Sequence, residues 1–264
     1  PRVQGVALTG SEGAGALVAA QAGRALKKST MELGGSDAFI VLDDADLDKA
    51  VKWAVFGRHW NGGQVCCSSK RIIVHESIHD EFVRRYTEGV AQLKAGDPME
   101  ASTTLAPLSS QQAADDVRRK IDEAVAHGAT ATVIGAEVPR QGAFVRPVLL
   151  TGVKPENPAY HHEFFGPVSM IFKVKDEDEA IQLANDSPFG LGGSVFTQDI
   201  KRGKRVAAQI STGMVYINHP TAVKADLPFG GIRRSGYGRE LISLGLKEFV
   251  NHKLVGVTDI NGAF

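Results

Sequence analysis

Short apolar runs alternate with segments whose apolar residues recur every three or four positions, along almost the whole chain. Residues 6–8 form one such run, and Ser11 then opens an Ala-rich stretch that predicts a helix to about residue 27. Continuous apolar character over residues 38–42 predicts a buried strand. Leu47, Val51, Ala54 and Val55 share one face of a helix, and residues 71–75 read as the next strand. Ile78, Phe82, Tyr86, Val90 and Leu93 follow at helical spacing, as do Ala113, Val117, Ile121 and Val125. Later, residues 168–174 predict a strand, and Asp176 with Glu179 forms a capping-box pattern on the next helix. A strand at 193–197, a helix from Asp199 and a strand within 213–218 complete the rhythm. Such alternation predicts an α/β fold with a mostly parallel sheet flanked by helices.

Residues 228–238 carry four glycines without periodicity and predict a surface-running loop. A helix from Arg239 and a terminal strand near 253–257 are expected after it. A strand with no obvious partner belongs at an edge, a common place for subunit pairing. No low-complexity linker and no internal repeat interrupts the pattern.

Composition narrows the partners. With 264 residues, 43% hydrophobic and 23% charged, the chain can build one large core or two modest domains. Thirty basic side chains balance thirty acidic ones, so no net field recruits nucleic acid or an anionic membrane. No run approaches the ~18–20 apolar residues of a spanning helix. The two cysteines are adjacent, which suits neither a disulfide framework nor zinc, and a reducing, cytoplasmic setting is expected. The chain opens at Pro1, without methionine, inside a running pattern. It therefore reads as a fragment or truncated product, and a missing signal peptide carries no weight.

Three clusters carry candidate chemistry. In Asn61-Gly62-Gly63-Gln64-Val65-Cys66-Cys67-Ser68-Ser69-Lys70, glycines permit close backbone approach where two thiols sit. A thiolate there would be a strong nucleophile once local charges or dipoles lower its pKa, although packing in a core is the commoner fate of cysteine. Met31-Glu32-Leu33-Gly34-Gly35-Ser36-Asp37 puts a carboxylate at a strand end before two glycines, facing either a ligand or solvent. His161-His162-Glu163-Phe164-Phe165-Gly166-Pro167 places an acid before a bulky apolar turn. Adjacent histidines in an extended segment point apart, and without a second ligand cluster no metal is expected.

Glu32-Leu33-Gly34-Gly35, Gly63-Gln64-Val65-Cys66, Glu163-Phe164-Phe165-Gly166-Pro167 and Pro228-Phe229-Gly230-Gly231 together resemble four signature motifs of the aldehyde dehydrogenase superfamily, in its order and at its separations. The resemblance covers the whole chain, from Leu8-Thr9-Gly10-Ser11 to the tail. It implies an aldehyde-dehydrogenase-like catalytic domain with a C-terminal oligomerisation strand. Residues 1–32 would be the last strand and helix of the cofactor domain, 33–235 the catalytic domain, and 236–264 the C-terminal helix and strand. The rest of the cofactor domain would lie upstream. A homodimer or homotetramer through the tail strand is implied, with a small aldehyde as substrate and NAD or NADP as cofactor.

The resemblance also implies roles. Cys66 is the nucleophile and Glu32 the base that activates water against a thioester. Ser11 lies near the pyrophosphate, Leu33 and Gly34 lie along the nicotinamide, Glu163 binds its ribose, and Phe165 flanks the ring. Phe229 lines the aldehyde pocket. Related acylating enzymes that use coenzyme A generally lack a base at the Glu32 position, so hydrolysis to an acid is expected. An asparagine oxyanion donor and a lysine that contacts the adenosine ribose are not found in this sequence. The isolated chain is therefore expected to be a poor dehydrogenase.

The stretches 10–39 and 227–240 look most like bacterial members of the family that act on succinate semialdehyde. Several of these place an arginine six residues before the nucleophile. Trp60 stands there, with Arg58 and Lys224 as candidate replacements for holding a substrate carboxylate. Two competing readings are a nucleotide-independent thioesterase pairing Cys66 with a histidine, His59 being nearest in sequence, and a non-catalytic assembly module.

Overall fold

The structure is a computed structural model, and it describes residues 2–262. The first strand and helix are β1 (Gly5–Thr9) and α1 (Glu12–Arg24), followed by β2 (Lys28–Glu32) and β3 (Ala38–Val41). Next come α2 (Leu47–His59), β4 (Arg71–His75), α3 (Glu76–Ala91) and α4 (Gln111–Ala126). β5 (Thr130–Val133), β6 (Val148–Thr151), β7 (Val168–Val174) and α5 (Glu177–Asn185) occupy the middle. The chain ends through β8 (Phe189–Gly190), β9 (Gly193–Phe196), α6 (Ile200–Ala207), β10 (Tyr216–Ile217), β11 (Ile232–Arg233), β12 (Gly236–Tyr237) and α7 (Ile242–Lys247).

Polar caps start the helices where the sequence places them. Ser11 accepts from the Ala14 N–H at 3.3 Å, Asp46 from Lys49 at 3.2 Å and Ser110 from Ala113 at 3.1 Å. Asp176 accepts from the Glu179 N–H at 2.9 Å. The Glu179 carboxylate reaches back to the Lys175 N–H at 2.7 Å, one residue before the cap itself.

Seven strands form the main sheet in the order β10-β9-β3-β4-β7-β6-β5. Every neighbouring pair is parallel except β5 with β6. Its central strands are apolar on both faces, as a sheet covered on both sides requires. Ala38, Ile40 and Ile73 join one core with residues of α4, α5 and α6. Phe39, Val41, Ile72 and Val74 join the other, under α2 and α3. A smaller sheet, β1-β2-β12, pairs β1 with β2 in parallel and receives β12 antiparallel.

Three expectations need correction. Residues 228–238 are no surface loop: Phe229 and Ser235 are buried, β11 pairs with β8, and β12 pairs with β2. The glycines let the backbone press inward, since a Cβ on Gly230 would lie 2.8 Å from the Glu32 Oε1. The helix expected from Arg239 begins only at Ile242, because Leu241 and Ile242 hold φ values of 65° and 44°. The terminal strand is not shown: residues 251–259 are irregular, and no described strand pairs with them. An extended segment needs a neighbour to take its N–H and C=O groups, and the fold places none beside this one.

Candidate active site

The small sheet ends where the main sheet begins. Thr9 closes β1 and Glu32 closes β2, while Gly34, Cys66 and Phe165 lie just ahead of β3, β4 and β7. These ends surround a cavity of about 690 Å³ whose lining includes Ser11, Glu32, Gly34, Trp60, Cys66, Glu163 and Phe165. Three clusters far apart in sequence thus meet at one opening.

The turn that carries Cys66 is built by backbone that few residues tolerate. After α2, Asn61, Gly62 and Gly63 hold φ values of 53°, 63° and 78°, reversing the chain. A Cβ on Gly63 would sit 2.5 Å from the Gly166 carbonyl, so the turn packs directly on the segment that carries Glu163. Arg58 fastens the two together. Its Nε donates to the Val168 carbonyl at 2.6 Å, and Nη1 donates to the Ser68 hydroxyl at 2.8 Å and the Gly63 carbonyl at 3.3 Å. Its Nη2 donates to the Phe164 carbonyl at 2.8 Å and also to that of Gly166. This guanidinium is fully buried and its donors are spent, so Arg58 cannot clamp a substrate carboxylate.

Cys66 lies at the cavity and Cys67 points into the core. The Cys66 thiol is held below its ordinary pKa, first by a hydrogen bond from the Cys67 thiol and then by the Lys70 ammonium, against burial and the Asp37 carboxylate. Cys67 is pushed the other way by that bond and by burial. The pair therefore divides into one reactive and one inert sulfur.

Lys70 belongs to the nucleophile cluster, and its role was not legible in the sequence. Its side chain is completely buried, and Nζ donates to the carbonyls of Val65 at 2.7 Å and Cys66 at 2.8 Å. The same ammonium pairs with Glu163 Oε1 at 3.1 Å. The Gly35 N–H donates to that carboxylate oxygen at 3.0 Å. A Cβ at Gly34 would collide with the other oxygen, and one at Gly35 would sit 2.6 Å from the Cys66 carbonyl. Glycines here are a condition for bringing Glu163, Cys66 and the end of β2 together.

Glu32 is 5% exposed, and its Oε2 has no hydrogen-bond partner. Its pKa is raised to about 8, mainly by burial, then by Glu240 and Cys66, with Arg239 opposing. An unpartnered, desolvated carboxylate beside a thiol is poised to accept a proton near neutral pH.

Other predicted residues separate into two groups. Ser11 caps α1 and, with Gly10, opens that helix's free N–H groups onto the cavity. Leu33 lines the cavity and packs under Gly15 of α1. Trp60, 37% exposed, stacks on Phe56 at 5.9 Å between centroids, while Phe165 presents its ring 5.9 Å from the Lys70 ammonium. Phe229 is buried in a cluster with Cys67 and Leu191, behind the nucleophile and off the cavity lining. Lys224 is exposed and also off the lining. His59 is buried, its Nε2 3.1 Å from the Tyr86 hydroxyl. Burial and the adjacent Arg58 push its pKa down to about 3. It is no partner for Cys66, which removes the histidine on which the thioesterase reading leaned.

Comparison with known proteins sets this geometry in context. The sequence matches the aldehyde dehydrogenase family over residues 1–255. The chain belongs to the aldehyde dehydrogenase family. Within it, the chain is 55% identical over 255 residues to a succinate-semialdehyde dehydrogenase [NADP(+)] of Deinococcus radiodurans, covering 97% of this chain and 54% of that protein. It superposes on the succinic semialdehyde dehydrogenase of Streptococcus pyogenes in complex with NADP+ with a TM-score of 0.95 at 50% identity. That match covers 98% of this chain and 57% of the other. The betaine aldehyde dehydrogenase of Staphylococcus aureus in complex with NAD+ gives a TM-score of 0.90 at 37% identity, covering 94% of this chain and 50% of the other. The chain thus spans about half the length of the dehydrogenases it matches. Its residues fit part of a dinucleotide: the open start of α1 suits a phosphate, Gly34 admits the Glu163 carboxylate against its backbone, and one Glu163 oxygen is free of Lys70 and Gly35.

Proposed function

We propose that this chain supplies the nucleophile and base for oxidation of an aldehyde to a carboxylic acid with NAD or NADP. The observation that carries the reading is the convergence of Cys66, Glu32 and Glu163 on one cavity. In this reading the Cys66 thiolate adds to the carbonyl carbon, forming a thiohemiacetal whose oxygen faces the Cys66 backbone N–H. NAD or NADP, when bound, would supply the acceptor for the hydride lost as this adduct becomes a thioester. Glu32 then takes a proton from water as the water attacks, releasing the acid and restoring the thiolate. Glu163 and the start of α1, with Ser11, would hold the ribose and phosphate ends, and Leu33, Gly34 and Phe165 would flank the nicotinamide. A carboxylate at Glu32 favours water over coenzyme A as acyl acceptor.

Succinate semialdehyde is the proposed substrate, supported by what the Deinococcus and Streptococcus relatives act on. Trp60 lines the cavity, which supports a place for it beside the aldehyde. We place the reaction in the cytoplasm, where two free cysteines persist. Assembly as a homodimer or homotetramer through the tail is part of the same reading, supported by exposed Leu254, Val255 and Val257. So is a division into cofactor (1–32), catalytic (33–235) and C-terminal (236–264) parts. In a protein that joins this chain to a complete cofactor-binding part, formation of reduced nicotinamide from an aldehyde, abolished by Cys66→Ala, is the expected result, while the isolated chain should turn over poorly. Aldehyde-dependent turnover that survives that substitution overturns the proposal.

A further inference from the structure

Lys70 is a buried charge beside the nucleophile turn for which the reaction scheme has so far given no use. An ammonium has three protons, and here three acceptors take them: the Val65 carbonyl, the Cys66 carbonyl and Glu163 Oε1. Those acceptors belong to two segments about a hundred residues apart in sequence, and Gly35 joins them from a third. Burying an ammonium is costly unless it is paired and hydrogen-bonded, so these contacts are the condition for its presence. A neutral residue could fill the volume at far less desolvation cost. The charge must therefore serve something nearby that gains from it.

We propose that Lys70 is a positioning residue that holds the nucleophile turn against Glu163 and supplies the positive charge faced by the Cys66 thiolate. Its two bonds to consecutive carbonyls fix the peptide planes on either side of Cys66, and so the direction of the Cys66 N–H and sulfur. The bond to Glu163 ties that orientation to a carboxylate that lines the same cavity. The role of the nucleophile rests on the proposed function; the electrostatic effect of Lys70 on Cys66 does not. Charged and titratable groups facing Cys66 are Cys67, Lys70 and Asp37, with Glu32 across the cavity flanked by Glu240 and Arg239. Lys70 is the cation among the first three, and its effect opposes that of Asp37.

Alkylation of Cys66 by iodoacetamide, followed by mass spectrometry across pH, reads this directly and needs neither aldehyde nor nucleotide. Lys70→Met keeps the length and removes the charge. It should move the midpoint of alkylation upward by about one pH unit or more, slowing the reaction about tenfold at neutral pH. Glu163→Gln keeps an acceptor for Lys70 and Gly35 but removes the anion that offsets the ammonium, so its midpoint should move downward. A Lys70→Met midpoint equal to wild type overturns the proposal, as does a shift of both variants in one direction. Should Lys70→Met fail to fold, Glu163→Gln decides alone: an unchanged or raised midpoint overturns it. These shifts seen in a protein that oxidises no aldehyde would sink the functional reading and leave the role of Lys70 standing.

Discussion

Glu32 and Cys66 sit on opposite sides of the join between two sheets, one closing β2 and the other in the turn before β4, and Cys66 raises the cost of charge on Glu32. The Glu32 carboxylate is buried and unsatisfied at Oε2, so it prefers its neutral form while the thiol is drawn toward its anion. Opposed preferences of this kind let one group be nucleophile and its neighbour a proton acceptor later in the same cycle.

That opposition predicts a pH signature. Glu32 must be ionised to take a proton from water, and its folded pKa is about 8. The rate of thioester hydrolysis should therefore climb through about pH 8 and level above it. Glu32→Gln should still release reduced nicotinamide in a first turnover, then stall with the acyl group on Cys66. Intact-mass measurement of the stalled protein checks this, and an unmodified Cys66 in a stalled variant argues against the assignment of the base.

Stability should follow the same group with a definite sign. Its pKa is raised from 4.5 to about 8, so the fold prefers the protonated form. Its contribution is fully present below about 4.5 and is lost as pH rises through 8. Asp37, raised to about 6 by burial, contributes in the same direction but is exhausted earlier. Glu32→Gln should therefore match wild type at low pH and become the more stable protein above pH 8, by on the order of a few kcal/mol. Thermal melts of both proteins between pH 5 and 9 on the order of one unit apart test it; a constant gap across that range would falsify the raised pKa.

The strand and helix alternation was legible because it depends on local pattern. Runs such as Phe39-Ile40-Val41 are apolar on both faces, and Ser11, Asp176 and Asp199 sit where caps are needed. The residues proposed to react could be singled out through motifs alone, since nothing local distinguishes Cys66 from Cys67. Contacts between distant segments were hidden. Arg58 looked like a free cation, yet its acceptors on Phe164, Gly166 and Val168 lie more than a hundred residues away. Gly236 joins β2 antiparallel at φ 105°, a pairing that no periodicity announces. The tail pattern suggested a strand that the described residues do not form, because a strand exists only where another backbone completes it.

Arg58 yields a prediction opposite to that for a substrate-binding residue. Its five hydrogen bonds hold the nucleophile turn to the start of β7 inside the core. Arg58→Met leaves buried carbonyls without donors and should cost about 3–5 kcal/mol, since each buried acceptor left unsatisfied costs about 1–3 kcal/mol. Arg58→Lys keeps the charge but loses the fork and should recover only part of this. Denaturant midpoints measure both. A variant of normal stability with a raised KM only for anionic aldehydes would return Arg58 to the substrate.

Lys224 and Trp60 divide the remaining question of substrate. Lys224 is exposed and off the cavity lining, so Lys224→Ala should leave KM for succinate semialdehyde within about twofold, the scale of exposed charge effects. Trp60 stands on the lining and stacks on Phe56, and its indole shapes the wall without presenting positive charge. Trp60→Ala should weaken binding of a neutral aldehyde of matched length by about tenfold, since an aromatic wall contributes one to a few kcal/mol. Trp60→Arg should shift preference toward succinate semialdehyde, because a guanidinium there can meet its carboxylate bidentately. Comparing kcat/KM for the two aldehydes in all three variants separates the possibilities. A Lys224→Ala variant that alone loses succinate semialdehyde would return Lys224 to the substrate and overturn the assignment made from its exposed position off the cavity lining.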